Sequence, residues 1–178
     1  MINLEKINTS SDLYPWSEKL WLDSFPEIER RDTVLQRLNT DTCPIFNYNV
    51  AISENRPVGL FTYWDFEKFI YCEHFATDKS LRGKGYGSEI LKKVISKTCK
   101  PMVLEVEYPE NETSRRRIEF YKRAGLRVWE TQKYVQPPYR KGGEPLPLLL
   151  MATDGLDESS DFQKVMTTIH SNVYGVDM

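Results

Sequence analysis

Apolar residues at Ile90, Leu91, Val94 and Ile95 recur at the spacing of one helix face, with Lys92, Lys93, Ser96 and Lys97 between them. That helix ends before Lys100-Pro101, because proline disfavours helical geometry in the residue before it. On its N-terminal side, Lys68 to Thr77 (KFIYCEHFAT) is rich in aromatic and β-branched residues over strand length and closes at Asp78-Lys79-Ser80. On its C-terminal side, Met102 to Tyr108 (MVLEVEY) has the same character. The pattern predicts strand, glycine-rich loop, helix, strand, a βαβ unit in the middle of the chain.

Around this unit the pattern continues without repeats or low-complexity linkers. Asp12 to Leu22 and Pro26 to Leu38 read as helices, the first started by Ser10, Ser11 or Asp12 and the second by Pro26 in its first turn. Ile45 to Ser53 and Pro57 to Phe66 read as a strand pair around Glu54-Asn55-Arg56, which with the central strand makes three antiparallel strands. After the βαβ unit comes a helix with Thr113 or Ser114 as N-cap, Ile118, Tyr121 and Ala124 on one face, and Gly125 as its stop. Arg127 to Val135 and Pro147 to Thr153 are the last strands, joined by the long loop Gln136 to Gly143. From Ser159 to Val173, Phe162, Val165, Met166 and Ile169 follow helical spacing, so this tail is expected to dock on the core or to form a homodimer. The 178 residues fit one domain.

The loop Leu81-Arg82-Gly83-Lys84-Gly85-Tyr86-Gly87-Ser88 carries the first chemistry. Three glycines let the backbone turn with its amides pointing one way, the following helix contributes unpaired N–H groups and a positive dipole end, and Arg82 and Lys84 add charge. A phosphate ester or diphosphate is the ligand such a loop suits. The nucleoside-triphosphate loop needs Gly-Lys-Ser or Gly-Lys-Thr, which does not occur. The dinucleotide fingerprint G-x-G-x-x-G places Ser88 or Ile90 where its third glycine belongs.

What remains, Arg82-x-x-Gly85-x-Gly87, resembles the acetyl-CoA diphosphate loop of the GNAT superfamily of N-acetyltransferases, Q/R-x-x-G-x-G/A. Phe120-Tyr121 with Gly125-Leu126 is similar to the same family's F-Y-x-x-x-G-F/L signature, in the family's order and about forty residues downstream. The resemblance covers roughly Lys68 to Met151. It implies an α/β (α+β) fold with a mixed sheet of six to seven strands flanked by helices and a splay between two central parallel strands. It further implies acetyl-CoA as donor, its diphosphate on the amides of Gly83, Lys84, Gly85, Tyr86, Gly87 and Ser88 beside Arg82, and its arm along the backbone of Phe75, Ala76 and Thr77. Tyr121 would be the general acid beside the cofactor sulfur. Ser114 aligns where the family often has a cofactor-contacting Asn, with Asn111 nearby. The reaction implied is direct acetyl transfer to a primary amine of a small molecule, peptide or protein, without an acyl-enzyme.

Such a transfer needs the amine neutral, so a carboxylate is expected to accept its proton. Glu105 and Glu107 alternate with Leu104 and Val106 and project from one strand face, while Glu73 comes from the neighbouring strand. Glu105, in Leu104-Glu105-Val106, is the favoured base by its likeness to the family's Leu-Glu-Val strand. Pairing of these carboxylates with Arg or Lys is an equally simple reading of each. Cys72 and His74, two apart, would share a strand face; side-by-side packing is the expected relation, with a catalytic Cys-His pair as the lesser alternative. Tyr139 and Arg140 in the Pro-Pro loop are candidate acceptor contacts. A noncatalytic acyl-CoA-binding module is the alternative function, and a nucleotide-binding protein a weaker one.

Composition narrows the partners. A net charge of −2 over 28% charged residues gives no basic field, so nucleic acid is not expected, and Arg115-Arg116-Arg117 spreads around a helix as a solvated face, with contact of one of them to the cofactor's ribose phosphate as the lesser alternative. Three cysteines without a C-x-x-C, and only two histidines, predict no metal site. No signal-peptide pattern opens the chain and no uncharged run approaches ~20 residues, so a cytoplasmic protein without membrane contact is expected.

Overall fold

The computed structural model describes residues 2–176. Strands β1 (Asn3–Lys6), β2 (Phe46–Ser53), β3 (Arg56–Asp65), β4 (Ile70–Thr77), β5 (Met102–Val106), β6 (Arg127–Gln136) and β7 (Leu146–Ala152) form one sheet in the order β1-β2-β3-β4-β5-β7-β6. Every neighbouring pair is antiparallel except β4 and β5. The parallel pair is short. Ile70, Tyr71 and Cys72 pair with Met102, Val103 and Leu104, and beyond them the two strands have no ladder between them. The predicted mixed sheet with central parallel strands is therefore present.

Alternation along the strands sorts the core onto two faces. Ile70, Cys72, Met102, Leu104 and Met151 face helices α3 (Tyr86–Thr98) and α4 (Glu112–Arg123), meeting Ile90, Leu91, Val94 and Ile118. Tyr71, Val103 and Leu150 face the other way, onto Phe162, Val165 and Ile169 of α5 (Glu158–Val173). The tail's apolar stripe is thus spent on docking to its own sheet. Helix α1 (Tyr14–Ser24) lies on the same side, with Trp21 and Leu20 against Leu60. Gly59 of β3 lets α3 approach closely: a Cβ there would sit 2.8 Å from the Ala76 carbonyl oxygen and 3.0 Å from Ile90 Cδ1.

Several expectations shift. Asn3–Lys6 forms an edge strand that no pattern announced, since only Leu4 of its four residues is buried. Pro26 to Leu38 is not one helix: a single 3-10 turn at Glu27–Glu29 is followed by extended Arg30, and helix α2 runs Thr33–Thr42. The physical cause is Asp32, whose carboxylate accepts the Leu35 N–H at 2.9 Å and caps a new start. Helix α4 is capped by Asn111 rather than Thr113 or Ser114; Ser114 is its third residue and completes a capping box. The central strand starts at Ile70, after a turn in which the Phe66 N–H bonds the Phe69 carbonyl, and β5 stops at Val106. Among the described residues no helix is long and apolar enough to cross a membrane.

Candidate active site

The central strand carries a bulge that reverses its side chains. Thr62 and Tyr63 of β3 are consecutive, yet they pair with His74 and Cys72, so Glu73 is an extra residue without an opposite number. Cys72 therefore stays on the α3 and α4 face, while His74 packs on the other, edge-on to Trp21 and Phe25. The expectation that Cys72 and His74 share a face is corrected by that one residue. Glu73 keeps the face of Tyr71, on the Trp64 side, at the point where β4 and β5 part.

Where the ladder ends, a cleft of about 1420 Å³ opens between the strands. One end is the glycine loop. Gly83 and Gly85 have φ of 79° and 82°, the left-handed region, and nothing lies within 4 Å of where their Cβ atoms would stand. Gly85 is the N-cap of α3 and offers no side-chain acceptor, so the first-turn amides of the helix stay open to the cleft. Arg82, Gly83, Gly85, Tyr86, Gly87 and Ser88 line this end, whereas Lys84 does not. Phe75, Ala76 and Thr77 form the wall along β4. Ser114 is turned away: it is 1% exposed, and its hydroxyl donates to the Asn111 carbonyl at 3.0 Å. Asn111 and Thr113 reach the cleft in its place, as do Arg116 and Arg117, while Arg115 bonds the Pro109 carbonyl.

Tyr121 stands on the α4 wall, packed edge-on against Phe120 with ring centres 5.2 Å apart. Its hydroxyl makes no side-chain hydrogen bond among the described residues. Burial pushes the phenol well above its usual range, proximity to Cys72 adds to this, and Arg117 opposes it, so the group is a firmly protonated donor at neutral pH.

Opposite the glycine loop lie two carboxylates in different environments. Glu73 accepts from Arg31, from the Tyr139 hydroxyl at 2.8 Å and from Trp64 Nε1 at 2.9 Å. Burial acts to raise its carboxyl, but the Arg31 guanidinium and these donors overcome that and hold it below the ordinary carboxylate range. Arg31 is itself enclosed, its guanidinium 5.5 Å from the rings of Phe46, Trp64 and Tyr139. Among the described residues Glu105 has no cation beside it. The Tyr134 hydroxyl donates to Oε1 and the Tyr174 hydroxyl to Oε2 at 2.9 Å. Its carboxyl is pushed up to about 7 by burial, with the charge of Glu73 adding and the hydroxyls of Tyr134, Tyr71 and Tyr174 opposing. Glu107, expected on the same strand face, lies past the end of β5 and pairs with Arg117 at 3.2 Å. Tyr139 lines the cleft, and Arg140 turns outward to Glu27 at 3.1 Å.

Sequence reasoning missed Arg31, Trp64, Tyr134 and Tyr174. Arg31 had one signal, its place just before an Asp-Thr helix start. Tyr174 had another, as the residue after the last buried position of the α5 stripe, Val173.

Comparison with known proteins agrees with this arrangement. The family model described as Acetyltransferase (GNAT) family matches residues 10–126. A solved structure from Bacteroides thetaiotaomicron assigned to the GNAT acetyltransferases is 40% identical, with a TM-score of 0.95, over 98% of this chain and 99% of that one. More distant folds include a GNAT family acetyltransferase from Elizabethkingia anophelis with acetyl-CoA bound, at 15% identity and TM-score 0.59, over 85% of this chain and 97% of that one. A Bacillus subtilis acetyltransferase in complex with CoA has 13% identity and a TM-score of 0.58, over 88% of this chain and 100% of that one. No curated protein sequence matches the chain. With the family model spanning the glycine loop and Tyr121, and a 40% identical relative superposing over nearly its whole length, the chain belongs to the GNAT acetyltransferase family.

Proposed function

We propose that the protein transfers the acetyl group of acetyl-CoA to a primary amine by direct attack. The observation that carries this reading is that one cleft joins the glycine loop, the unpaired strand edges, Tyr121 and Glu105. The cradle fits a diphosphate because its amides are free and no Cβ fills it. The edge of β4 from Glu73 to Thr77, without a β5 partner, fits an extended arm bearing amides. When bound, acetyl-CoA supplies the thioester whose carbonyl the amine attacks. The 15% and 13% identical neighbours that hold acetyl-CoA and CoA support this choice of donor.

The chain's own groups divide the proton work. Glu105 accepts one proton from the acceptor ammonium and returns it to water in the cleft, leaving a neutral amine whose lone pair forms the new C–N bond. Tyr121 gives its phenolic proton to the departing thiolate as the C–S bond breaks, and regains one as the new amide nitrogen sheds its surplus proton. The products are an amide, a thiol and one released proton. The thiolate of a thiol near pKa 8.5 is a weaker base than a phenolate, so the Tyr121 transfer must accompany C–S cleavage rather than precede it. Glu73 is a poor base, since both its oxygens are occupied and Arg31 stabilises its charge; it anchors Arg31 and Tyr139 in the wall. Glu29 in the cleft lining, which forms no salt bridge among the described residues, favours a cationic acceptor.

Thiol release from acetyl-CoA, followed with purified protein over a panel of small amines, polyamines and peptide α-amines, tests the reading. At least one amine is expected to release thiol well above hydrolysis. Release with none of them, or absence of acetyl-CoA binding by calorimetry, overturns the proposal. The acid limb of kcat/KM should follow Glu105: its carboxyl lies at about 7 and must be ionised to act, so the rate falls roughly tenfold per pH unit below that value. Glu105→Gln should abolish this limb and lower turnover by about 10²-fold. At the other end, Gly85→Ala forces a side chain into a φ of 82°, and the strain of about 1–2 kcal/mol predicts acetyl-CoA binding roughly 5–30-fold weaker, with turnover at saturation little changed.

A further inference from the structure

The chain beyond α5 returns to Glu105. Tyr174 follows the last residue of that helix, and its N–H bonds the His170 carbonyl at 3.3 Å. Its ring lies 4.8 Å from that of Tyr139, and its hydroxyl stands 2.9 Å from Glu105 Oε2, 3.2 Å from Oε1 and 3.1 Å from the Tyr71 hydroxyl. Docking of α5 does not require this, because Phe162, Val165 and Ile169 already bury the helix. We infer that, given the acyl-transfer reading above, Tyr174 is a positioning residue whose hydroxyl fixes the Glu105 carboxylate at the cleft wall and favours its proton-accepting form.

Hydrogen-bond bookkeeping gives the contact a direction. A carboxylate only accepts, so Tyr134 and Tyr174 must each donate to it. Tyr174 has one proton, and with that committed to Glu105 its oxygen must accept from Tyr71. The result is a chain, Tyr71 to Tyr174 to Glu105, in which each bond polarises the next and both support the anion. Protonated Glu105 would have to compete with donors already aimed at it, so it releases the amine's proton readily to water.

Other groups around Glu105 leave this role to the hydroxyls. From β4 come Tyr71 and Glu73, the latter paired with Arg31 while its charge still acts to raise the Glu105 carboxyl. From β6 comes Tyr134, with His170 of α5 behind its ring at 5.4 Å and held neutral by burial. Tyr139 comes from the loop after β6, and β7 places Leu150 opposite Glu105. No cation touches the Glu105 carboxylate among the described residues, so donated hydroxyls are what offset its burial.

Tyr174→Phe keeps the ring and its packing on Tyr139 and removes one donor. Without that donor the anion is less favoured, the carboxyl titrates higher, and the ionised fraction at a given pH falls. The acid limb of kcat/KM is expected to move up by about one pH unit, so turnover drops roughly tenfold at pH 6 and less than about twofold at pH 9. Acetyl-CoA affinity should be unchanged. A uniform loss at all pH values, or an unmoved limb, overturns the inference. A second readout needs no acceptor: the carboxyl band of Glu105, identified in infrared titration by its disappearance in Glu105→Gln, should titrate at higher pH in Tyr174→Phe than in the parent protein, and an unshifted band overturns the inference. Absence of thiol release with every amine would instead sink the acyl-transfer reading, leaving the infrared comparison to decide the contact by itself.

Discussion

Tyr121→Phe is expected to lower kcat by about 10²–10⁴-fold while leaving the Kd for acetyl-CoA within about twofold, the range spanned by removal of a positioned general acid. The split follows from where the two parts of the side chain lie. The ring is buried between Phe120 and the α3 face of the sheet, and phenylalanine reproduces that packing. The hydroxyl reaches the cleft without a side-chain partner, so its loss strands no buried donor or acceptor and costs little stability. What disappears is the proton for the departing thiolate. Burial keeps the phenol protonated far above neutral pH, so in the parent enzyme Tyr121 should produce no alkaline limb in the pH profile below about pH 10. The variant's defect should shrink with a donor thioester whose thiol is more acidic, because a better leaving group needs less protonation. Equal kcat in parent and variant would show that water or another group supplies the proton.

Where the constraint was local, the sequence revealed it. Arg82-x-x-Gly85-x-Gly87 was legible because positive φ at Gly83 and Gly85 and the start of α3 leave a direct mark on residue choice. The α3 stripe and the α4 stop at Gly125, with φ 95°, were legible for the same reason. Boundaries failed where two local signals competed, as when the Asp32 cap prevailed over Pro26. Features set by a partner strand were invisible. The Glu73 bulge is a mismatch in count against β3, and nothing in KFIYCEHFAT records it, although it decides which face His74 occupies. The environment of each carboxylate was equally hidden, because Arg31 reaches Glu73 across 42 residues and Tyr174 reaches Glu105 across 69. Residue type named the candidates; long-range packing separated an anchored Glu73 from a titratable Glu105.

That separation makes Arg31→Met the substitution with the largest expected effect on stability. Methionine fills much of the space among Phe46, Trp64 and Tyr139 but leaves the Glu73 carboxylate, whose side chain is 0% exposed, without its cation. Breaking a buried pair from one side costs about 3–5 kcal/mol, and in a domain of this size that lowers Tm by roughly 6–20 °C. The pH dependence carries a definite sign. In the parent protein the folded-state carboxyl lies below its unfolded value, so the pair stabilises the fold above the unfolded carboxylate pKa of about 4.3 and the contribution is lost as pH falls through the folded value. In the variant, burial acts with no guanidinium against it, the folded-state carboxyl rises above the unfolded one, and the penalty grows as pH increases. Parent and variant should therefore differ most at neutral pH and converge on acidification. Adding Glu73→Gln to Arg31→Met removes the stranded charge and should recover a large part of the loss, whereas Glu73→Gln in the parent should itself destabilise by leaving Arg31 buried and unpaired. A double-mutant cycle of chemical denaturation at pH 7 and pH 5 reads these terms directly; a coupling below about 1 kcal/mol would place the pair with exposed ion pairs and remove the anchor assigned to Glu73.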